Sequence, residues 1–357
     1  MLLSPGPVPV PDFIMQAICA PVIHHRGPVF ETLMEGLRRD LQYLFQGESA
    51  ATCFMMGSGT VGVEAAMYSL FQPADRVLIV NYGKFSERWV DYGKLMGLEV
   101  VPLPAAWGHS PTTEAVLEAA ARYPDLSGAI LTHCETSTGA MIDVEEIAFA
   151  LKQSRPELLL LVDGVSSIGA LPFYFDEWGI DCAVVASQKA LMNPAGTVAF
   201  ALSDYAQSRL RPTHPSDARN LHNYLRLAQQ NSFPYTPPVQ LFYGWQAALA
   251  HFRRRGLPEI WNQCHQSARA FRTRLEGLGG ALLAPVPADS LSAFSFPQQD
   301  HEAIRKHLHE QHGIFLAGAQ GALKGKMLRI SHMGEANAAV MEQVGDLLHE
   351  MIERQKR

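Results

Sequence analysis

Cysteine is scarce in this chain: five residues in 357, at positions 19, 53, 134, 182 and 264, with no CxxC pair and an odd total. That count excludes a complete disulfide framework, and a reducing compartment, the cytoplasm, is the expectation. Long apolar runs are missing too, since no stretch reaches the roughly 18 unbroken apolar residues of a membrane helix. The opening Met1-Leu-Leu-Ser-Pro-Gly-Pro-Val-Pro-Val-Pro11 lacks a basic start and is broken by prolines, so it does not read as a secretory signal. Positive charge is in short supply: 29 Lys and Arg against 35 Asp and Glu leave a net charge of −6. Such a chain has no general basic field to draw it to nucleic acid. Its 14 histidines form no HxxxH pair with acidic support, and His307-Leu-His309 reads as a solvated helix face, so no metal site is expected.

What is present is an ordinary soluble composition, 47% hydrophobic and 18% charged, long enough for a sizeable core. Residues 1–15 read as a proline-stiffened arm of the kind that packs on a neighbour. From about residue 30 to 202, helical patterns alternate with apolar runs beginning at Cys53, Arg76, Ala129, Leu158, Ala183 and Thr197. Strands apolar on both faces, alternating with helices, predict an α/β fold around a mostly parallel, doubly covered sheet. Residues 211–238, rich in proline and histidine, read as a long irregular crossing, followed by a helix over 239–255 and then helix, strand and helix patterns. The expected division is an arm over 1–15, a large domain over 16–255 and a small C-terminal α+β domain over 256–357.

Two residues carry the chemistry. Lys189 stands just past the Ala183 run, and Asp163 closes the Leu158 run. Singly, Asp163 also reads as a helix cap and Lys189 as a surface lysine. An amine and an acid at successive strand ends together suggest pyridoxal 5'-phosphate: the lysine holds the aldehyde carbon as a Schiff base, and the carboxylate keeps the ring nitrogen protonated. Ser58, Gly59 and Thr60, in Met56-Gly-Ser-Gly-Thr-Val-Gly62, open a helix where free N–H groups favour a phosphate, although a simple capped helix start reads the same way. Thr136 follows the Ala129 run, so four polar residues share the carboxyl edge of the sheet, where ligands bind in open α/β folds. Lys84 is a rival amine without the small, polar approach that Ser187 and Gln188 give Lys189.

These motifs resemble the class V aminotransferases of fold type I, in particular the alanine–glyoxylate and serine–glyoxylate branch. The resemblance runs through Leu3-Ser-Pro-Gly-Pro7, His24-His-Arg26, Gly57-Ser-Gly-Thr60, Glu135-Thr-Ser-Thr-Gly139, Val165-Ser-Ser167, Asp176-Glu-Trp-Gly-Ile-Asp181, Ser187-Gln-Lys-Ala-Leu191 and Arg329-Ile-Ser-His-Met-Gly334. It implies a seven-stranded sheet, a homodimer with shared sites, and an amino group moved from a small L-amino acid, alanine or serine, to a 2-oxo acid such as glyoxylate. By the same resemblance Lys189 carries the cofactor and shuttles the proton, and Asp163 pairs with the ring nitrogen. Ser58, Gly59, Thr60 and Gln188 hold the phosphate, joined by Thr236 from the partner subunit. Phe85 and Val165 cover the two ring faces, and Thr136 meets the phenolic oxygen. Arg329 takes the substrate carboxylate, with Gly6 and Arg26 as further substrate contacts, and Lys324 and Lys326 as other candidates for a second anion. Phe233 departs from the pattern, which often has tyrosine three residues before the threonine, unless Tyr235 substitutes. Rival readings are an aspartate or other dicarboxylate aminotransferase, and a lyase or desulfurase, which would need a nucleophilic cysteine where Cys264 instead lies in a helical pattern.

Overall fold

A strand that is apolar on both faces is stable only between two covering layers, and the computed structural model of the chain is built around that requirement. The structure describes residues 1–212 and 216–355. Strands β1 (Ala51–Gly57), β2 (Arg76–Asn81), β3 (Glu99–Pro104) and β4 (Leu126–Thr132) precede a two-residue hairpin, β5 (Cys134–Glu135) and β6 (Ala140–Met141). Strands β7 (Leu159–Asp163), β8 (Cys182–Ala186) and β9 (Gly196–Leu202) complete a seven-stranded sheet of order β1-β9-β8-β7-β4-β2-β3. All five residues of β7 and all five of β8 are buried, so both faces of the sheet centre are covered. The expected mostly parallel sheet is present, with β9 alone running against its neighbours β1 and β8.

The sixfold run of apolar segments left out one strand. β3 sits at the edge, with the burial of its residues alternating and with Pro102 and Pro104 in it, which an edge strand tolerates and a central one does not. Two further readings change. The arm ends at Pro11, where a helix Asp12–Ile18 begins, and the crossing segment contains a helix, Leu221–Ala228, whose apolar residues Leu221, Tyr224 and Leu225 are buried.

A second, antiparallel sheet of order β10-β11-β13-β12 is made of β10 (Ala281–Leu282), β11 (Leu291–Ser295), β12 (Ala317–Gly318) and β13 (Leu328–Ser331). Helices Leu257–Gly277, His301–His312 and Ala338–Gln355 accompany it. Its own apolar cluster gathers Phe271, Phe294, Ile304, Leu328, Ile330 and Met341. Strand alternation explains what this does for a site: Leu328 and Ile330 enter that cluster, so Arg329 between them points the other way, toward the first sheet. The arm joins the two halves. Leu3 N–H donates to Phe315 O and Ser331 N–H to Leu3 O on the second sheet, while Val8 N–H donates to Gln188 O beside the first. The arm thus packs against its own chain along this length.

Candidate active site

Parallel strands bring their carboxyl ends to one edge. Thr132 and Asp163 are register partners at the ends of β4 and β7. β1 lies antiparallel to β9, and β9 antiparallel to β8, so Gly57 and Ala186 end on that same edge. A cavity of about 210 Å³ opens there, and Gly6, Ser58, Gly59, Thr60, Phe85, Thr136, Asp163, Val165, Gln188 and Lys189 all line it. Ten of the residues read from the sequence thus meet in one place.

Lys189 sits in a turn that closes on itself: Asn193 N–H donates to Ser187 O at 3.0 Å, Met192 N–H to Lys189 O at 2.9 Å, and Ser187 Oγ to Pro194 O at 2.7 Å. The amine is only 9% exposed and donates to Pro5 O of the arm. Burial lowers its pKa to about 8, with Arg329 lowering it further and Cys134 and Asp163 acting in the opposite direction. A usable fraction of neutral amine therefore exists near pH 7.

Asp163 is 5% exposed, and burial raises its pKa to about 6, opposed by two hydrogen bonds. Val165 N–H donates to its Oδ1 and Trp89 Nε1 to its Oδ2, both at 3.1 Å. Each oxygen keeps a lone pair for a further donor. Trp89 was not read as a site residue, yet it lines the cavity and also donates to Thr132 Oγ1 at 3.2 Å. Its signal was present: it lies four residues after Phe85 on the helix Lys84–Leu95, hence on the same face. Glu135 acts one layer back. It is fully buried, accepts from Phe85 N–H at 3.1 Å and from Ser86 N–H at 2.9 Å, and so anchors the start of the helix that presents Phe85 and Trp89.

The phosphate-like end starts at Ser58, the N-cap of the helix Gly59–Leu70, where no side chain caps the first turn. Ser58 is exposed and its hydroxyl is not spent as a cap, which separates this start from an ordinary one. A Cβ on Gly59 would lie 2.8 Å from Val165 Cγ2, so only glycine lets the helix start approach that wall. Gly6, at φ +122°, faces the same constraint from above, because a Cβ there would fall 2.5 Å from Lys189 Nζ. Gly6→Ala is expected to push Lys189 off Pro5 O and slow cofactor capture by the apoprotein severalfold, measured by stopped-flow absorbance.

Thr136 is held in the β5–β6 turn, its Oγ1 at 2.6 Å from Ser166 Oγ. Arg329, 6% exposed, stands directly behind it: Nη1 donates to Thr136 O at 3.0 Å, while Nε and Nη2 donate to Gly318 O at 3.1 and 2.8 Å. Two of its five N–H groups remain for a carboxylate. Burial lowers its pKa, and Glu135 acts the other way.

Several expected contacts do not line this cavity in the chain itself, Arg329 among them, which stops just behind Thr136. Thr236 is exposed, Tyr235 is hydrogen-bonded to Asp217, and Arg26 is exposed beside His24. Lys324 and Lys326 are exposed as well. Phe233 is buried among Tyr224 and Phe242. The rival amine, Lys84, pairs with Glu87 at 2.7 Å and does not line the cavity.

The whole of this arrangement lies within residues 15–341, apart from the arm, and that span matches the family described as aminotransferase class V. The chain belongs to that family. A class V aminotransferase, it is 31% identical to an L-aspartate–glyoxylate aminotransferase of Paracoccus denitrificans, over 95% of this chain and 87% of that protein. It is 32% identical to a serine–glyoxylate aminotransferase of Methylorubrum extorquens, over 94% and 87%. Among solved structures, an aspartate aminotransferase of Thermus thermophilus superposes with a TM-score of 0.92 at 31% identity, covering 99% of each chain. Fold type I is thereby shown along with the family. Against the desulfurase reading, Cys264 is buried in the helix Leu257–Gly277, and burial pushes its thiol up to about 12. Cys134 lines the cavity, but burial raises its thiol to about 12 too.

Proposed function

We propose that this aminotransferase uses pyridoxal 5'-phosphate to move an amino group from a small L-amino acid, serine or alanine, to glyoxylate. The observation that carries the reading is the burial of Lys189 and Asp163 in one cavity, with opposite pKa shifts and with Arg329 behind Thr136. The donor set suits the cofactor: a carboxylate with a free lone pair for a ring N–H, two walls in Phe85 and Val165, and an uncapped helix start with Ser58, Gly59 and Thr60, beside Gln188, for a phosphate. When bound, the cofactor supplies an electron sink for the charge that develops at the substrate's α-carbon. Asp163 holds the positive charge at the ring nitrogen, and Thr136 orients the phenolic side. Lys189 Nζ would hold the cofactor's aldehyde carbon, and as a neutral amine it is the group placed to take and return the substrate's α-proton. Arg329 fixes the substrate carboxylate through its two remaining N–H groups, and the Gly6 backbone limits the space above.

We propose a homodimer in which Thr236, remote from its own chain's cavity, enters the partner's, and in which Arg26 is a substrate contact there. The second apolar cluster, drawn from Phe271 to Ile352 apart from Leu3, supports a small C-terminal domain, while Leu257, Ile260 and Cys264 pack in the first cluster and the arm ends nearer residue 11. The division into an arm, a domain over 16–255 and a domain over 256–357 is therefore proposed with a boundary shared between the two cores. All five cysteines are free, which supports a cytoplasmic setting. No helix among the described residues is long and apolar enough to cross a membrane.

A second reading, aspartate as donor, is favoured by the names of the Paracoccus and Thermus relatives. Against it, among the described residues the basic side chains at the site are Lys189 in the cavity and Arg329 just behind Thr136, both already given roles, and a distal carboxylate buried without a partner loses several kcal/mol. The test is kcat/KM for alanine, serine and aspartate, each with glyoxylate and with 2-oxoglutarate. Serine or alanine with glyoxylate should lead; a clear lead for aspartate would reverse the ranking and make Arg26, Lys324 and Lys326 the next residues to mutate as contacts for the distal carboxylate. In the same assay Arg329→Gln should cut kcat/KM for any donor by about a hundredfold, roughly the ~3 kcal/mol of a charge-assisted pair.

A further inference from the structure

Arg88 belongs to none of the groups assigned above. It is half-buried on the helix Lys84–Leu95, one position past Glu87, whose carboxylate is committed to Lys84. Among the described residues no acidic group pairs with Arg88. Its guanidinium carbon lies 5.1 Å from the centroid of the Phe85 ring, and Nη1 donates to Thr60 Oγ1 at 2.7 Å. An arginine without a counter-ion is thus held against the second residue of an uncapped, 12-residue helix, where free N–H groups and the helix dipole already favour an anion.

The bond to Thr60 has a directional consequence. A hydroxyl that accepts from a guanidinium must aim its own proton elsewhere, and Thr60 lines the cavity. The phosphate-like end otherwise offers only dipoles and neutral donors, because among the described residues Lys189 is the one basic side chain on the cavity wall. A phosphate carrying close to two negative charges at neutral pH needs a cation nearby to remain fully ionised.

We propose that Arg88 is the counter-charge for the cofactor phosphate and acts through Thr60, turning the Thr60 hydroxyl into a donor and keeping the phosphate dianionic. Arg88 is a positioning residue here. The proposal rests on the reading of the cavity as a pyridoxal-phosphate site. Three variants separate its parts: Arg88→Gln keeps hydrogen-bonding capacity and removes the charge, Arg88→Lys keeps the charge, and Thr60→Val removes the relay.

The probes are pyridoxamine 5'-phosphate and phosphate-free pyridoxamine, titrated into each apoprotein by fluorescence, with phosphorus NMR of the bound phosphorylated form across pH. Arg88→Gln should weaken binding of the phosphorylated probe by about tenfold and leave pyridoxamine unchanged. Arg88→Lys should recover most of the loss, and in a Thr60→Val background Arg88→Gln should add little. The bound phosphate should titrate at higher pH in Arg88→Gln than in the wild type. Equal affinity of the wild type and Arg88→Gln for the phosphorylated probe would overturn the proposal. So would an equal loss for both probes, which would assign Arg88 to packing on Phe85. A wild-type apoprotein that fails to prefer the phosphorylated probe would instead refute the cofactor reading itself, and the proposal with it.

Discussion

Lys189→Ala should eliminate the borohydride-reducible bond between protein and pyridoxal phosphate and reduce transamination by at least about 10⁴-fold, because both the covalent carrier and the proton-moving amine are lost together. Binding should survive in part, since Ser58, Gly59, Thr60 and Asp163 remain around the cavity. Peptide mapping after reduction of the wild type should place the label on Lys189; a label on Lys84 would defeat the assignment. The pH dependence has a definite sign. Lys189 has a pKa lowered to about 8, and only its neutral form attacks a carbonyl. The rate at which the apoprotein captures pyridoxal phosphate should therefore rise about tenfold per pH unit below 8 and level off above it. For stability the same shift works the other way round from a salt bridge: the buried ammonium is a burden below pH 8, and stability due to this group rises between 8 and the ordinary 10.5. A capture rate independent of pH from 6 to 9 would contradict the environment described for the amine.

The lysine and the aspartate were legible in the sequence because each follows a run of apolar residues that can only be a buried strand, and parallel topology then forces strand ends to one edge. The edge strand β3 was not legible, since Glu99, Pro102 and Pro104 dilute its apolar signal and none of its six residues is fully buried. Trp89 and Glu135 escaped as site-builders for a related reason: the Trp89–Asp163 bond spans 74 positions and the Glu135–Phe85 bond 50, distances over which no periodicity operates. The family resemblance supplied Thr236 and Arg26, which no local pattern marks. The fold of one chain leaves both exposed and outside the cavity lining. Arg88 is the opposite case. No sequence pattern marks it, and only its contact with Thr60, 28 positions away, gives it a place in the site.

Asp163→Asn should lower kcat by about 10³-fold or more while leaving the apoprotein close to the wild type in stability at neutral pH. The first half follows from what an amide can offer a ring nitrogen: no full negative charge, hence no stabilisation of the protonated ring on which the electron sink depends. The second half follows from linkage. Burial raises the Asp163 pKa from an ordinary 3.8 to about 6, so in the folded apoprotein the carboxylate is disfavoured above pH 6 by roughly 3 kcal/mol. A folded-state acid that binds its proton more tightly than the unfolded one loses stability as pH rises through that window, and the loss is complete above 6. Asparagine carries no such burden, but its one carbonyl oxygen can serve only one of Val165 N–H and Trp89 Nε1, which sit on different carboxylate oxygens, and the donor left unpaired costs about 1–3 kcal/mol. The two terms roughly offset at neutral pH, and Asp163→Asn should narrow the wild type's fall in melting temperature between pH 4 and 7. Cofactor binding reverses the balance: a cationic ring beside Asp163 pulls its pKa down, so the acid limb of the kcat profile should lie below pH 6 in the holoenzyme. Melting curves and kcat profiles of both proteins, with and without pyridoxal phosphate, supply the comparison. Wild-type turnover in Asp163→Asn would move the ring-nitrogen role to another group, and a marked destabilisation of its apoprotein at pH 7 would show that Asp163 is held there by the fold rather than for the cofactor.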